Sequence, residues 1–500
     1  MVSRAAVARQ RFRSTNRAST PAPIGGWNTR DDLANMPAND AEVFDNWLPD
    51  SNTVKFRKGY VQHASSVGSG NVDTIASFVT TAGANQLLAC GGGQIYDVTS
   101  GTATSRGSGY ASDRWDTASF NNQLVFVNGA DFPQVYDGST VSAASFSGGS
   151  VAYDKFFTAQ VFKNRVFYAA SNELAFWYTE LFASTGAVTK FPLVGISERG
   201  GHVVAIGTWT VDGGSGPDDF LAIFTSEGEV LVYQGSDPGT DFSIVGRFYV
   251  GRVVDSRAVA SIYGKLFVAT ERDYIYLPDQ FITQGGGRDS KLSGAARDAA
   301  ASYGSIDGWQ THYSPNEGLM VINVPTGPST SVQHVINVKT GAATRFTGIN
   351  ARVWAEFQGS LYWGGTNGTV NKYAGTSDGG AAIVCVARTS PSPLRTNSEK
   401  IVTAYRPRLL SNGTFSSVTG LAYDYGKREF LQSITLSAPG GSTLPLYWPF
   451  SWSDEDVTRD EWQRGAGRGT YVQLYLQATS TIDVSWLGTD YISEPGGILR

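Results

Sequence analysis

The sequence has only two cysteines and four histidines, and these scarcities remove two classes of site. Cys90 and Cys385 lie too far apart in sequence to define a disulfide framework or a zinc spacing, so we expect each to fill a strand core as a small apolar residue. No two histidines lie at metal-ligand spacing on one element. They are His63, His202, His312 and His334. The sequence therefore predicts neither a metal site nor a cofactor.

Charged residues are also scarce, at 17% of the chain, and the net charge is −5. The chain has no overall basic field to hold it on nucleic acid, so DNA would slide past it more readily than it would be gripped. The longest uncharged stretch, 74–96, is interrupted by polar residues and three glycines, so it predicts no membrane span. Residues 1–20 lack the apolar core of a secretory signal, and long helical patterns are absent.

What the sequence has instead is glycine, aromatic residues and a repeated strand pattern. Its 58 glycines and 12% aromatic content suit short strands joined by many turns, and a hydrophobic fraction of 41% is enough for a core. From about residue 70 a unit recurs seven times, with an apolar strand, a short turn, a second strand and an aromatic residue near its end. The anchor residues of the apolar strands are Leu87, Leu124, Val166, Leu221, Leu266, Leu319 and Leu361.

A strand-built repeat of this length is typical of a β-propeller, in which neighbouring blades bury each other's faces and the ring closes. We therefore predict an all-β fold with a propeller of six to seven blades. A tandem of β-sandwiches is the alternative, although the period is too short for a whole sandwich. Residue pairs suited to tight hairpins precede the strands, and we expect positive φ there. The pairs are Asn121-Asn122, Lys163-Asn164, Gly264-Lys265, Glu317-Gly318 and Gln358-Gly359.

Four regions are predicted along the chain. Residues 1–20 form an extended basic arm without a core pattern, and residues 21–69 a docking segment with a short helix from Asn39 or Asp40 to Leu48. The propeller follows over 70–378. Longer alternating strands over 379–500 predict a C-terminal β-sandwich-like domain. The arginines of the arm are Arg4, Arg9, Arg11, Arg13 and Arg17.

A search for catalytic chemistry finds no convincing candidate, so the chain is predicted not to be an enzyme. Residues 375–379 match G-x-S-x-G, but a strand rather than a helix follows, which indicates a linker leaving the propeller. Acidic residues cluster around Asp218 and around Asp456 without the ligand spacing of a calcium loop, and we interpret them as solvated loop charges. A propeller glycosidase would need two carboxylates at a defined distance in space, and the sequence does not give that distance.

Short motifs at both ends resemble the tail nozzle, or hub, proteins of short-tailed bacteriophages. The N-terminal motifs are Gly25-Gly26-Trp27-Asn28, Asp45-Asn46-Trp47-Leu48-Pro49 and Arg57-Lys58-Gly59-Tyr60. The C-terminal ones are Lys400-Ile401-Val402, Arg406-Pro407 and an Asn412-Gly413 turn. The resemblance implies a structural virion protein of the phage tail. Six copies would form a ring below the portal and adaptor proteins, retain packaged DNA and conduct it at ejection.

The partners that the resemblance implies are other copies of the chain, the adaptor or portal, tail fibres or spikes, and double-stranded DNA that passes without sequence-specific binding. We expect the bore to be acidic or neutral, because basic walls would hold DNA by counterion release. Interface residues are predicted in the basic arm and among tryptophans, including those of a Trp-rich loop in the last domain. The tryptophans are Trp27, Trp47, Trp448, Trp452 and Trp462. The alternative function is a glycan- or receptor-binding propeller, and then a propeller glycosidase.

Overall fold

The computed structural model describes residues 15–212, 217–277, 297–303, 306–426, 428–436, 457–459 and 461–496. It divides into two compact units, which are unit 1 (1–57 and 382–500) and unit 2 (58–381). Both are built from strands, so the predicted all-β fold is confirmed. Two short 3₁₀ segments occur in the described ranges, Tyr153–Lys155 and Arg297–Ser302. Within those ranges no helix has the length and apolar character needed to cross a membrane.

The N-terminal part of unit 1 is made of strands, and the short helix predicted over 39–48 is wrong. Its strands are β1 (Asn16–Pro21), β2 (Gly26–Trp27), β3 (Asp40–Asp45), β4 (Trp47–Pro49) and β5 (Val54–Phe56). β3 has backbone partners on both sides, β2 in parallel and residues 386–389 antiparallel. This pairing, together with burial of Phe44 and Trp47, outweighs the local helix-capping signal.

Unit 2 begins with β6 (Tyr60–Ala64) and continues through seven consecutive strand sets. Set 1 is β7 (Val72–Val79), β8 (Asn85–Gly91), β9 (Gln94–Asp97) and β10 (Thr104–Ser108). Set 2 is β11 (Asp116–Phe120), β12 (Gln123–Val127), β13 (Gln134–Tyr136) and β14 (Val141–Ala143). Set 3 is β15 (Phe146–Gly148), β16 (Phe156–Phe162), β17 (Arg165–Ala170), β18 (Ala175–Thr179) and β19 (Gly186–Pro192).

The remaining four sets follow the same plan. Set 4 is β20 (Val203–Asp212), β21 (Pro217–Thr225), β22 (Glu229–Gln234) and β23 (Ser243–Tyr249). Set 5 is β24 (Val259–Ile262), β25 (Lys265–Ala269) and β26 (Tyr274–Tyr276). Set 6 is β27 (Gln310–Ser314), β28 (Leu319–Gly327), β29 (Thr330–Asn337) and β30 (Ala343–Phe346). Set 7 is β31 (Val353–Phe357), β32 (Ser360–Gly364) and β33 (Val370–Tyr373), with β6 as its outer strand.

These sets form a closed β-propeller, as the repeat predicted. Six of them are small separate sheets that form blades, and set 6 occupies the position between sets 5 and 7. The first full-length inner strand of each set (β7, β11, β16, β20, β24, β27, β31) contacts that of the next set, and β31 contacts β7. Because β6 comes from the start of unit 2 and pairs with β33, the last sheet joins both ends of the unit.

Each of the seven anchor residues lies on the strand that directly follows the inner strand of its set, one strand later than the alignment on a first apolar strand assumed. Each is at most 2% exposed, because the second strand is covered by neighbouring sets on both faces. The expected positive φ occurs at both residues of Asn121-Asn122, Lys163-Asn164 and Gln358-Gly359. In set 5 the turn lies one residue earlier than predicted, at Tyr263-Gly264.

The C-terminal residues complete unit 1 as a β-sandwich-like pair of sheets. Their strands are β34 (Ile383–Thr389), β35 (Lys400–Ser411), β36 (Phe415–Tyr423), β37 (Arg428–Leu436), β38 (Val457–Arg459), β39 (Gln463–Arg464), β40 (Arg468–Gly469), β41 (Val472–Ser480) and β42 (Val484–Pro495). One sheet joins β42 to β35, β1 and β5, and the other runs β2-β3-β34-β41-β36-β37. The buried rings of Trp47 and Trp486 lie 5.7 Å apart in the core.

Candidate functional site

Charged side chains from several sets converge where the inner strands of the propeller begin. Asp73 and Asp116 stand at the starts of β7 and β11, and Asp255 and Arg257 precede β24. Arg114 precedes β11. We call these five residues the axial cluster. The inner strands all start at the same end of the propeller, so topology brings together residues that lie far apart in sequence.

Arg257 reaches from set 5 across the propeller axis. Its Nη1 donates to the carbonyl of Asp73 at 2.9 Å, and its Nη2 donates to Thr74 Oγ1 at 3.0 Å and to the carbonyl of Trp115. These acceptors belong to sets 1 and 2, which are not neighbours of set 5 in the circuit. The guanidinium therefore ties opposite sides of the ring through charge-assisted hydrogen bonds.

Arg114 makes a contact in the opposite direction. Its Nη2 donates to Asp255 Oδ1 at 2.7 Å and to the carbonyl of Trp309 at 3.2 Å, which links set 2 to the segments preceding sets 5 and 6. Asp255 also accepts from the backbone N–H groups of Arg257 and Gly308, both at 3.1 Å. The two arginines thus link sets on opposite sides of the ring.

Burial dominates the electrostatics of the cluster. It lowers the pKa of Arg257 to about 10, and the positive charge of Arg114 contributes to that shift. The guanidinium consequently stays protonated at neutral pH. Burial also raises the pKa of Asp116, against a hydrogen bond of 2.5 Å from Thr158 Oγ1. On the far side, Arg352 Nε lies 2.9 Å from Asp73 Oδ1, which adds set 7 to the network.

A cavity of about 360 Å³ adjoins the axial cluster. Besides cluster residues its lining includes Asn172, His202, Arg252 and Asp307. In the part of the chain that the structure describes, no group of three His, Cys, Asp or Glu side chains could hold a metal ion. The cavity is suited to polar recognition, since hydrogen-bond donors and charges dominate its wall.

The predicted interface residues are dispersed, and several lie outside the described residues. Those outside are Arg4, Arg9, Arg11, Arg13, Trp448 and Trp452. Arg17 is exposed on β1, which pairs with β42 rather than leaving the fold as a free arm. Trp27 and Trp47 are 8% and 0% exposed, so both serve as packing residues within unit 1. Trp462 is 42% exposed, and the guanidinium of Arg406 lies 4.6 Å from its ring centre.

The motif residues of the N-terminal segment form a buried polar clamp in unit 1. Asn46 has φ 61° and is 3% exposed. Its Oδ1 accepts from Arg57 Nε at 2.8 Å and its Nδ2 donates to the carbonyl of Val384 at 2.7 Å. Cys385 is buried with a free thiol, as is Cys90, in agreement with the expectation for both cysteines. The Cys385 Sγ lies 3.3 Å from the carbonyl of Asn46.

Replacing Asn46 with alanine is expected to lower the free energy of unfolding by about 2–3 kcal/mol. The substitution removes the buried hydrogen-bond partner of Arg57. It also forces alanine to adopt a positive φ, which asparagine tolerates better. The control Asn46→Gly removes the same hydrogen bonds but tolerates the backbone angle, so it should cost about 1 kcal/mol less than Asn46→Ala. Urea unfolding followed by circular dichroism measures both. Equal stability of wild type and Asn46→Ala would contradict the clamp.

Sequence reasoning missed the axial cluster, although a weak signal precedes three inner strands. The tripeptides are Asp113-Arg114-Trp115, Asp255-Ser256-Arg257 and Asp307-Gly308-Trp309. Each places an aspartate two residues before an arginine or tryptophan at the same point of the repeat. Aligning the repeats on these residues as well as on the apolar anchors would have pointed to this end of the propeller. The acidic group at 212–219 proved to include a structural ion pair, since Lys163 Nζ lies 2.5 Å from Asp219 Oδ2.

No protein-family model matches the sequence, and no curated protein matches it. Among solved structures, the chain is similar to the computationally designed Ika8 protein at 11% identity and TM-score 0.38, with 66% of this chain and 96% of that one covered. It is also similar to Sqt1 of Saccharomyces cerevisiae (10% identity, TM-score 0.37, 59% and 82% covered). The WD40 β-propeller domain of Doa1 shows 10% identity and TM-score 0.39, with 63% and 97% covered.

Proposed function

We propose that this chain is a structural subunit of a short-tailed bacteriophage tail nozzle, in a ring that retains packaged DNA and conducts it at ejection. The observation that carries the proposal is that the motifs behind the resemblance are used for folding. Asn46 and Arg57 form the clamp of unit 1. Gly59 lies against the backbone of Ser377, where a Cβ would come within 2.0 Å of the carbonyl oxygen, so only glycine fits there.

The stiffness of unit 2 supports this proposal. A closed circuit of strand sets, tied across its axis by Arg257 and Arg114, has few ways to deform under the pressure of a packaged genome. The same ties cross the propeller from set to set. In a ring of copies we therefore expect the DNA path to lie between copies rather than through one propeller.

Electron cryomicroscopy of the virion that contains this chain tests the proposal. We expect a six-fold ring at the tail, with one propeller per subunit and an acidic or neutral wall facing the bore. A chain that stays monomeric when mixed with all other tail proteins would contradict the proposal. Continuous stripes of lysine and arginine along the bore would contradict the predicted charge.

Neutralising the basic arm tests its proposed role in assembly. Changing Arg4, Arg9, Arg11 and Arg13 together to glutamine is expected to weaken ring assembly at low salt and to leave the melting temperature within about 2 °C of wild type, because the sequence around them has no core pattern. The matched control changes four exposed lysines and arginines elsewhere. They are Lys155, Lys190, Arg272 and Lys339. Analytical ultracentrifugation measures ring assembly. If wild type and the arm variant assemble equally well, the arm makes no contact that contributes to assembly.

A glycan-binding propeller protein is the second candidate, and the exposed Trp462 favours it. One face of the ring is covered by Arg406 and the side chain remains 42% exposed, as in an aromatic platform for a sugar. Binding on a glycan array that is lost in Trp462→Ala would support this function. The control Tyr425→Ala changes another exposed aromatic residue of unit 1 and should leave any binding intact.

A further inference from the structure

The lining of the cavity beside the axial cluster carries three arginines and three aspartates. Arg114 Nε and Nη1 and Arg257 Nε have no hydrogen-bond partner among the described residues, and neither does the ring of His202. Arg252 also lines the cavity, with a side chain that is 63% exposed and one ion pair at 3.5 Å to Glu271. These N–H groups belong to residues that line one cavity.

Two of the three aspartates that line the cavity, Asp116 and Asp255, already accept hydrogen bonds from the protein. Both oxygens of Asp255 accept protein donors, Oδ1 from Arg114 and from the backbone of Arg257, and Oδ2 from Gly308. Asp116 accepts from the backbone N–H of Thr117 through Oδ1 and from Thr158 and the backbone of Ala159 through Oδ2. Neither aspartate accepts a hydrogen bond from Arg114 Nε or Nη1 or from Arg257 Nε.

We propose that this cavity binds a carboxylate group, held between Arg114, Arg257 and Arg252. A carboxylate has two oxygens and accepts charge-assisted N–H bonds from separate guanidinium groups, which makes it a good partner for these donors. Asp307 is exposed on the cavity lining with no partner among the described residues, and its charge would repel a polyphosphate more than a single carboxylate. A volume of about 360 Å³ admits an acidic side chain or a small dicarboxylate.

The inference is independent of the nozzle proposal, because it concerns a site within one chain. The carboxylate has two possible sources, a small free acid or an acidic segment of a partner protein. Isothermal titration calorimetry of the full chain at low ionic strength distinguishes them with two probes, succinate and a tetraglutamate peptide. Binding of succinate indicates a small-molecule source, whereas binding of the peptide alone indicates a protein segment. Either result supports the site.

The test variant is Arg252→Gln, whose exposed side chain makes loss of folding improbable on physical grounds. Its affinity for the binding probe should fall about tenfold, the effect of one charge-assisted contact. The matched control Arg272→Gln removes the same charge from an exposed position outside the lining and should keep wild-type affinity. Three results would overturn the proposal. Neither probe binds saturably, or both variants weaken binding equally, or inorganic phosphate binds more tightly than either probe.

Discussion

Replacing Arg257 with methionine is expected to lower the free energy of unfolding by about 3–5 kcal/mol, the range for breaking a buried, hydrogen-bonded charge network. The substitution preserves much of the side-chain volume, but it leaves the carbonyl groups of Asp73 and Trp115 without their donors. It also removes the positive charge that lies beside Asp116 and Asp255. The loss should appear as a lower urea midpoint in circular dichroism.

Two further variants separate the hydrogen-bond geometry from the charge. Arg257→Lys keeps the charge but cannot reach three acceptors on two sets with one ammonium group, so it should be destabilised, though less than the methionine variant. The control Arg272→Met removes an exposed arginine and should change stability by no more than about 0.5 kcal/mol. If Arg257→Met unfolds at the urea concentration of wild type, the proposed tie across the axis has no energetic role.

Acidification is expected to destabilise unit 2 through two histidines, the buried His334 and the half-buried His312. His334 is 1% exposed, and its Nδ1 lies 2.6 Å from the Tyr274 hydroxyl. Burial, with a further contribution from the positive charge of Arg345, lowers the pKa of His334 to about 3. Burial lowers the pKa of His312, on β27, to about 4. Both side chains are therefore neutral in the folded protein across the physiological range.

The sign of the effect follows from comparing the folded and unfolded states. In the unfolded chain a histidine takes up a proton near pH 6.5, whereas the folded protein does so only at much lower pH. The folded protein is therefore most stable, as far as these histidines are concerned, above about pH 6.5. The free energy of unfolding decreases as the pH falls from there toward the pKa values of the folded state. Each of the two histidines should lower the free energy of unfolding by about 1.4 kcal/mol per pH unit over that range.

Unfolding free energies measured between pH 6 and 5 isolate this effect, because most carboxylates titrate at lower pH. The slope of the unfolding free energy against pH reports the number of protons taken up on unfolding. His334→Gln should reduce that number by about one. Combining His334→Gln with His312→Gln should nearly abolish the slope. A variant slope equal to that of wild type would show that His334 is protonated in the folded state as readily as in the unfolded one.

The sequence alone determined the class of fold and its repeat. Apolar alternation and turn pairs such as Asn121-Asn122 are local properties, and a face that one strand set cannot bury alone requires neighbours of the same kind. For that reason the anchors from Leu87 to Leu361 mark all seven strand sets. The scarcity of histidine and cysteine likewise left no metal-site pattern for the sequence to show.

Only the tertiary structure decided which side chains act together. Arg257 and Asp73 are separated by 184 positions, and nothing in either local sequence indicates that the guanidinium of one reaches the carbonyl of the other. The helix predicted near Asn39 failed for the same reason, since the strand partner at 386–389 that overrides the local signal lies more than 300 residues away. Closing a ring and pairing distant strands create contacts whose energies are absent from any short stretch of sequence.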